Sequence, residues 1–180
     1  MVLIVRLPTQ PSRHRVAVWR ELRKVGVPSL GQGVWAVPEV PVFADGVQRA
    51  VRLTERARGD AVVLRGAGRE PADAVGFQAM FTAAREEDWA EFLADCGTYE
   101  TELDKEFRHA TPAELEEEEQ SLERLRRRHR DLKDRDVFGA PGSDAGDRQL
   151  AECARRFEDY SERVFAHLHA FGADGGGAQP

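Results

Sequence analysis

Cysteine is scarce, with only Cys96 and Cys153, so no disulfide framework and no thiolate metal site with the usual ligand spacing can be built. Long apolar runs are missing too. The longest is the short stretch around Val2–Val5, far below what a bilayer span needs. Residues 1–7 lack the apolar core and small-residue cleavage site of a secretory leader. A reducing cytoplasm is therefore the expected compartment, and both thiols, at apolar helical positions, are expected to be buried and free. Catalytic signatures are also missing: no phosphate-binding loop, dinucleotide fingerprint, nucleophile elbow or His-Glu-x-x-His occurs. The five histidines, His14, His109, His129, His167 and His169, are scattered. His167 and His169 are two apart on an expected helix, so they point to opposite sides and cannot share a metal. No catalytic residue, no metal site and no cofactor are expected, and the chain does not read as an enzyme.

What is present is charge, unevenly spread. Over 180 residues the formal charge is −6, yet residues 1–69 hold twelve Lys and Arg against five Asp and Glu, a balance of +7. The remainder carries −13. A basic first part beside an acidic second part implies either an anionic partner for the first or mutual docking of the two.

The first part alternates strand and helix. Val2–Leu7 is β-branched and apolar, a buried strand closed by Pro8. Ser12 is placed to cap a helix from about Arg13 to Val25, stopped by Gly26. On it, Val18, Leu22 and Val25 share one face with Trp19 at the border, while Arg13, Arg20 and Lys24 form the opposite stripe, flanked by Arg23. Val27–Leu30 and Val34–Pro38 read as a hairpin around Gly31-Gln32-Gly33, with Gly33 suited to a positive φ. Residues 45–58 read as a second helix with Val47, Ala50, Val51 and Thr54 inward, and Asp60–Arg65 as a last strand. The order β-α-β-β-α-β predicts an α+β fold, a ferredoxin-like domain over 1–70.

The rest reads as helical over 71–171. Apolar residues recur at helical spacing from Phe77 to Phe107, as one long helix or two joined near 85–88. Thr111, Pro112 and Glu114 form a helix start, and that helix runs to about Lys133 with a thin stripe of Leu115, Leu122, Leu125 and Leu132, His129 in register. Its glutamates precede its arginines, which suits the helix dipole, and Glu123 can pair with Arg127; the same arginines are a weaker candidate anion site. Gly139–Gly146 reads as a flexible turn into a final helix from about Asp147 to Phe171, so the last two helices form an antiparallel hairpin within a helical extension of three to four helices. Residues 172–180 read as a disordered tail.

The best candidate site is the basic face of the first helix: Arg13, Arg15, Arg20, Arg23 and Lys24. It serves either as an ordinary exposed helix with arginine stems over Trp19, or as a cluster that contacts a nucleic-acid backbone. Leu7-Pro8, then Arg15, Trp19, Arg20 and Leu22, then Gly33-Val34-Trp35 and Pro38 resemble the opening of the ChrB proteins, regulators of chromate resistance. Phe77 with Phe81 and Asp136-Val137-Phe138-Gly139 resemble later steps of that family's N-terminal domain, so the likeness spans about residues 2–170. It implies a bacterial, cytoplasmic, non-enzymatic transcription regulator or accessory factor with duplex DNA as the expected partner; a second copy of the chain is a further expected partner from the sheet edge, and the short apolar runs imply no membrane. Full-length members carry a second domain tied to chromate response, so no oxyanion-binding residue is carried over here. A weaker likeness joins the same opening to the C-terminal domain of the phenylacetate repressor PaaX, which is similar to metal-dependent CRISPR spacer-acquisition nucleases. Arg6-Leu7-Pro8 has no acid where those nucleases hold metal, which argues against that chemistry. The competing reading is a dimerisation or scaffold module without nucleic-acid binding.

Overall fold

A computed structural model describes residues 1–106 and 111–174. The elements are β1 (Val2–Arg6), α1 (Ser12–Val25), β2 (Ser29–Gly31), β3 (Val34–Ala36), α2 (Pro41–Arg56), β4 (Asp60–Leu64), α3 (Pro71–Glu106), α4 (Pro112–Arg135) and α5 (Gly142–Asp174). The fold is α+β, with one four-stranded antiparallel sheet in the order β2-β3-β1-β4. The chain divides into two compact units, Met1–Arg85 with Asp134–Ala140, and Glu86–Lys133 with the residues from Pro141 onward.

In the first unit, register follows the alternation of β1. Leu3 stands opposite Trp35 and Val63, and Val5 opposite Ala61, so these share one face of the sheet. Leu3, Val5 and Trp35 pack there with Val18, Leu22 and Val25 of α1 and Phe43, Val47 and Ala50 of α2. Burial of side chains such as Leu3, Leu22 and Phe43, each wholly removed from solvent, contributes about 1.5–3 kcal/mol apiece. The opposite face carries Val62 and Leu64, both exposed. Gly33 takes φ +74°, and a β-carbon there would lie 2.3 Å from the Val5 carbonyl oxygen, so only glycine closes this hairpin against β1. Gly46 lets α2 meet α1, because a β-carbon would strike the Val25 side chain.

Three boundaries differ from expectation. Ser12 is the first helical residue of α1 rather than its cap: Pro11 holds the extended cap position without a side-chain bond, and its carbonyl accepts the His14 amide at 3.3 Å. α2 begins at Pro41, four residues early, which adds Phe43 to the core; proline at the first helical position was the available signal. β2 and β3 are shorter than the apolar runs that suggested them.

The second unit is helical. α3 continues without the alternative break near 85–88. The predicted start of α4 is present: the Thr111 amide donates to Glu114 Oε2 at 2.6 Å, and the Glu114 amide to Thr111 Oγ1 at 3.3 Å. Gly142 and Gly146 are not part of a flexible turn. Both lie in α5: a β-carbon at Gly142 would fall 2.9 Å from Trp89 Cβ and one at Gly146 2.6 Å from the Trp89 ring, so these glycines serve close packing on Trp89. Cys96 and Cys153 are buried and free. α5 includes Gly172–Asp174; the rest of the expected tail, 175–180, and the predicted helical residue Phe107 lie outside the described residues, as does His109.

Candidate functional site

α1 is oriented by three apolar anchors. With Val18, Leu22 and Val25 buried, the helical repeat leaves Arg13, Arg20 and Lys24 on the outer face, and all three are exposed. One flank turns to α2, where Arg49 Nε donates to Glu21 Oε1 at 2.6 Å. The other flank holds Arg15, Trp19 and Arg23 in one i, i+4, i+8 row, all exposed. The Arg23 guanidinium sits 5.8 Å from the centre of the Trp19 ring. Among the described residues, none of the five basic side chains of the predicted site is ion-paired. The site therefore presents five cationic groups outside any ion pair, the one acid of α1, Glu21, being engaged by Arg49.

The C-terminal end of α1 is braced by residues that sequence reasoning did not assign to it. Gly26 takes the left-handed conformation (φ +80°) and its amide donates to the carbonyls of Arg23 and Leu22 at 3.0 and 3.1 Å. Arg85, buried, donates from Nη1 to the Gly26 carbonyl at 2.9 Å. Arg135 donates from Nη1 to the Lys24 carbonyl at 3.0 Å. Two guanidinium groups thus satisfy carbonyls that the helix end leaves open, where the dipole favours positive charge. The available signal for Arg85 was its register: it lies four residues after Phe81 and four before Trp89, in the middle of an otherwise apolar row of α3. The segment around Asp136-Val137-Phe138-Gly139 belongs to this same unit, with Phe138 edge-on to Phe81 at 5.7 Å.

Beside the Arg15–Trp19 flank lies a groove of about 620 Å³, lined also by Val5, Arg6, Leu7, Val18, Gln32, Gly33 and Trp35. Arg6 ends β1 opposite Asp60 in the ladder.

The alternative anion site on α4, Arg124, Arg126, Arg127, Arg128 and Arg130, is compensated in part, at Arg126 and Arg128. Arg126 pairs with Glu123 at 2.6 Å, so Glu123 bonds three residues on rather than to Arg127 as predicted. That contact holds the Glu123 carboxyl below its ordinary range. Arg128 pairs with Glu91 and Asp95. Glu118 is buried rather than solvated with its neighbours. His129 packs its ring against Trp89 and Phe92 at 5.5 and 5.6 Å, and its Nε2 lies 2.7 Å from Asp147. No group of three metal-ligating side chains occurs among the described residues, and none of their helices is long and apolar enough to cross a membrane.

The fold and this surface define an α+β protein whose first helix exposes an uncompensated basic face. The family described as Protein ChrB, N-terminal, matches residues 15–171, and the chain belongs to it. No curated protein and no solved structure matches the chain.

Proposed function

We propose that the chain is a non-enzymatic regulator or accessory factor of chromate or other oxyanion resistance, acting in the bacterial cytoplasm, and that it binds duplex DNA through Arg13, Arg15, Arg20, Arg23 and Lys24. The sheet order β2-β3-β1-β4, reached by β-α-β-β-α-β, supports reading the first unit as ferredoxin-like. The observation that carries the DNA reading is the exposure of five unpaired basic side chains on one rigid helix. A phosphate backbone needs such a set, because each neutralised phosphate releases a counterion.

Fluorescence anisotropy with labelled duplex at two salt concentrations tests this. If four to five phosphates are engaged, affinity falls roughly 10²–10³-fold between about 50 and 200 mM salt. Arg20→Gln with Lys24→Gln lowers the salt slope by about 2 for all sequences alike. Absence of binding at low salt, or a slope indifferent to the double substitution, overturns the reading.

One observation favours a second reading, a dimerisation module. β4 is an edge strand bonded only to β1, and it exposes Val62, Val63 and Leu64.

A further inference from the structure

We propose that the groove between α1 and the β2–β3 hairpin is a binding site for one unpaired nucleotide of a single-stranded nucleic acid. In it, Trp19 stacks on the base and Arg6 and Arg15 hold the phosphate. The proposal rests on the polyanion reading of α1 but assigns a different ligand and a different recess.

Four features point to this chemistry. First, Trp19 is 52% exposed while the other two tryptophans, Trp35 and Trp89, are buried at 6% and 0%. A large ring left in water on an otherwise well-anchored helix is a surface waiting for a flat apolar partner. Second, the ring is flanked one turn before and one turn after by Arg15 and Arg23, and Arg23 already lies over it. Cations alternating with an aromatic ring suit a base joined to phosphates. Third, the volume of about 620 Å³ exceeds what a single small oxyanion would fill. The walls from Val5, Leu7, Val18 and Trp35 favour a ligand with an apolar plane, as small-molecule recesses do. Fourth, the polar groups in the wall divide by chemistry. Arg6 and Arg15 are donors only, which fits phosphate. Gln32 offers both a donor and an acceptor, which fits a base edge.

The recess also excludes a paired base. A base stacked in a duplex cannot enter without leaving the helix, so the preferred occupant is a strand already single. Asp60, opposite Arg6, is the one acid across the ladder from these cations; it forms no ion pair with Arg6 among the described residues and leaves that guanidinium available.

Intrinsic tryptophan fluorescence measures the event directly, since Trp19 is the exposed fluorophore. Three probes are titrated against the full chain: a short oligothymidylate, thymidine monophosphate, and inorganic polyphosphate of matched charge. Oligothymidylate is expected to quench the emission and to bind more tightly than polyphosphate. Anisotropy of a labelled oligothymidylate, which does not depend on the indole, follows the variants: Trp19→Ala should weaken binding about 5- to 150-fold, the range that stacking of one base commands, while Trp19→Phe retains most of the affinity. Arg6→Gln should weaken oligothymidylate and leave duplex affinity within about twofold, because Arg15 is shared between the recess and the duplex-binding face whereas Arg6, at the end of β1, lies outside the set of α1 cations that contacts the duplex. Saturable quenching by the monophosphate alone supports the same site with a free nucleotide as its source. Dependence on the longer strand supports a strand segment. Equal affinity for polyphosphate and oligothymidylate, or indifference to Trp19→Ala in a variant whose melting curve is unchanged, overturns the proposal. If duplex still binds with a steep salt slope in that case, only this inference falls. If neither duplex nor single strand binds, the reading of α1 falls with it.

Discussion

Gly26 shows how much a single residue can hold in place. Its φ of +80° is costly for any side chain, and a β-carbon would fall 2.5 Å from Arg85 Nη1 and 3.0 Å from Arg135 Nη1. The Arg85 guanidinium cannot simply swing away, because it is buried and bonded to the Gly26 carbonyl itself. Gly26→Ala is expected to destabilise the chain by about 1–3 kcal/mol, backbone strain plus a displaced hydrogen bond, as read by urea unfolding. A loss below about 0.5 kcal/mol, the range of ordinary surface substitutions, would contradict the bracing described for this helix end. Gly26 was legible as a helix stop from its position after Val25. The two arginines that meet it, 59 and 111 positions from their acceptors, were not, since nothing local to either one announces a partner so far along the chain.

At the scale of elements, α1 was legible because three anchors at helical spacing leave only one way to turn its charged residues outward. The glycines of the α4–α5 connection were misleading for the opposite reason. A glycine that opens a turn and a glycine that admits a tryptophan look alike until Trp89 is placed beside Gly142 and Gly146. β4 poses its own question. Val62 is 47% exposed on the uncovered face of an edge strand, the kind of edge that pairs with a second copy unless charge blocks it. On the dimerisation reading the chain sediments at twice its 20.1 kDa, and Val62→Lys restores the monomer while leaving duplex affinity unaltered. A wild-type chain that sediments as a monomer at its solubility limit ends that reading.

For the whole molecule, acid sensitivity follows from carboxylates held low in the folded state. Bonds from Lys133 and His129 hold Asp147 below its ordinary range against the opposing effect of burial. Arg155 and Arg156 do the same for Glu152, as Arg126 does for Glu123. A carboxylate with a depressed folded pKa contributes stability above its unfolded value, near about 4, and loses it as pH falls through the folded value. Stability is therefore expected to be level with respect to these groups from about pH 5 to 7 and to decline below about pH 4. Asp147→Asn should lower the melting temperature at neutral pH slightly, as exposed ion pairs do, and make the decline in acid shallower. An unchanged acid limb in that variant would show that the Lys133 and His129 contacts do not contribute to the folded state.

Local chemistry along the chain was enough to establish the α+β class, the order of elements through β4, the basic face of α1 and the family likeness, because each rests on periodicity, capping or short motifs within a turn or two. Long-range packing decided the rest: that Phe81, Arg85 and the 134–140 segment join the first unit, that Glu118 is buried, and that Arg6, Arg15, Trp19 and Gln32 converge on one groove. Those outcomes depend on which distant surfaces meet when apolar faces leave water, and the sequence neighbours of a residue carry no record of that.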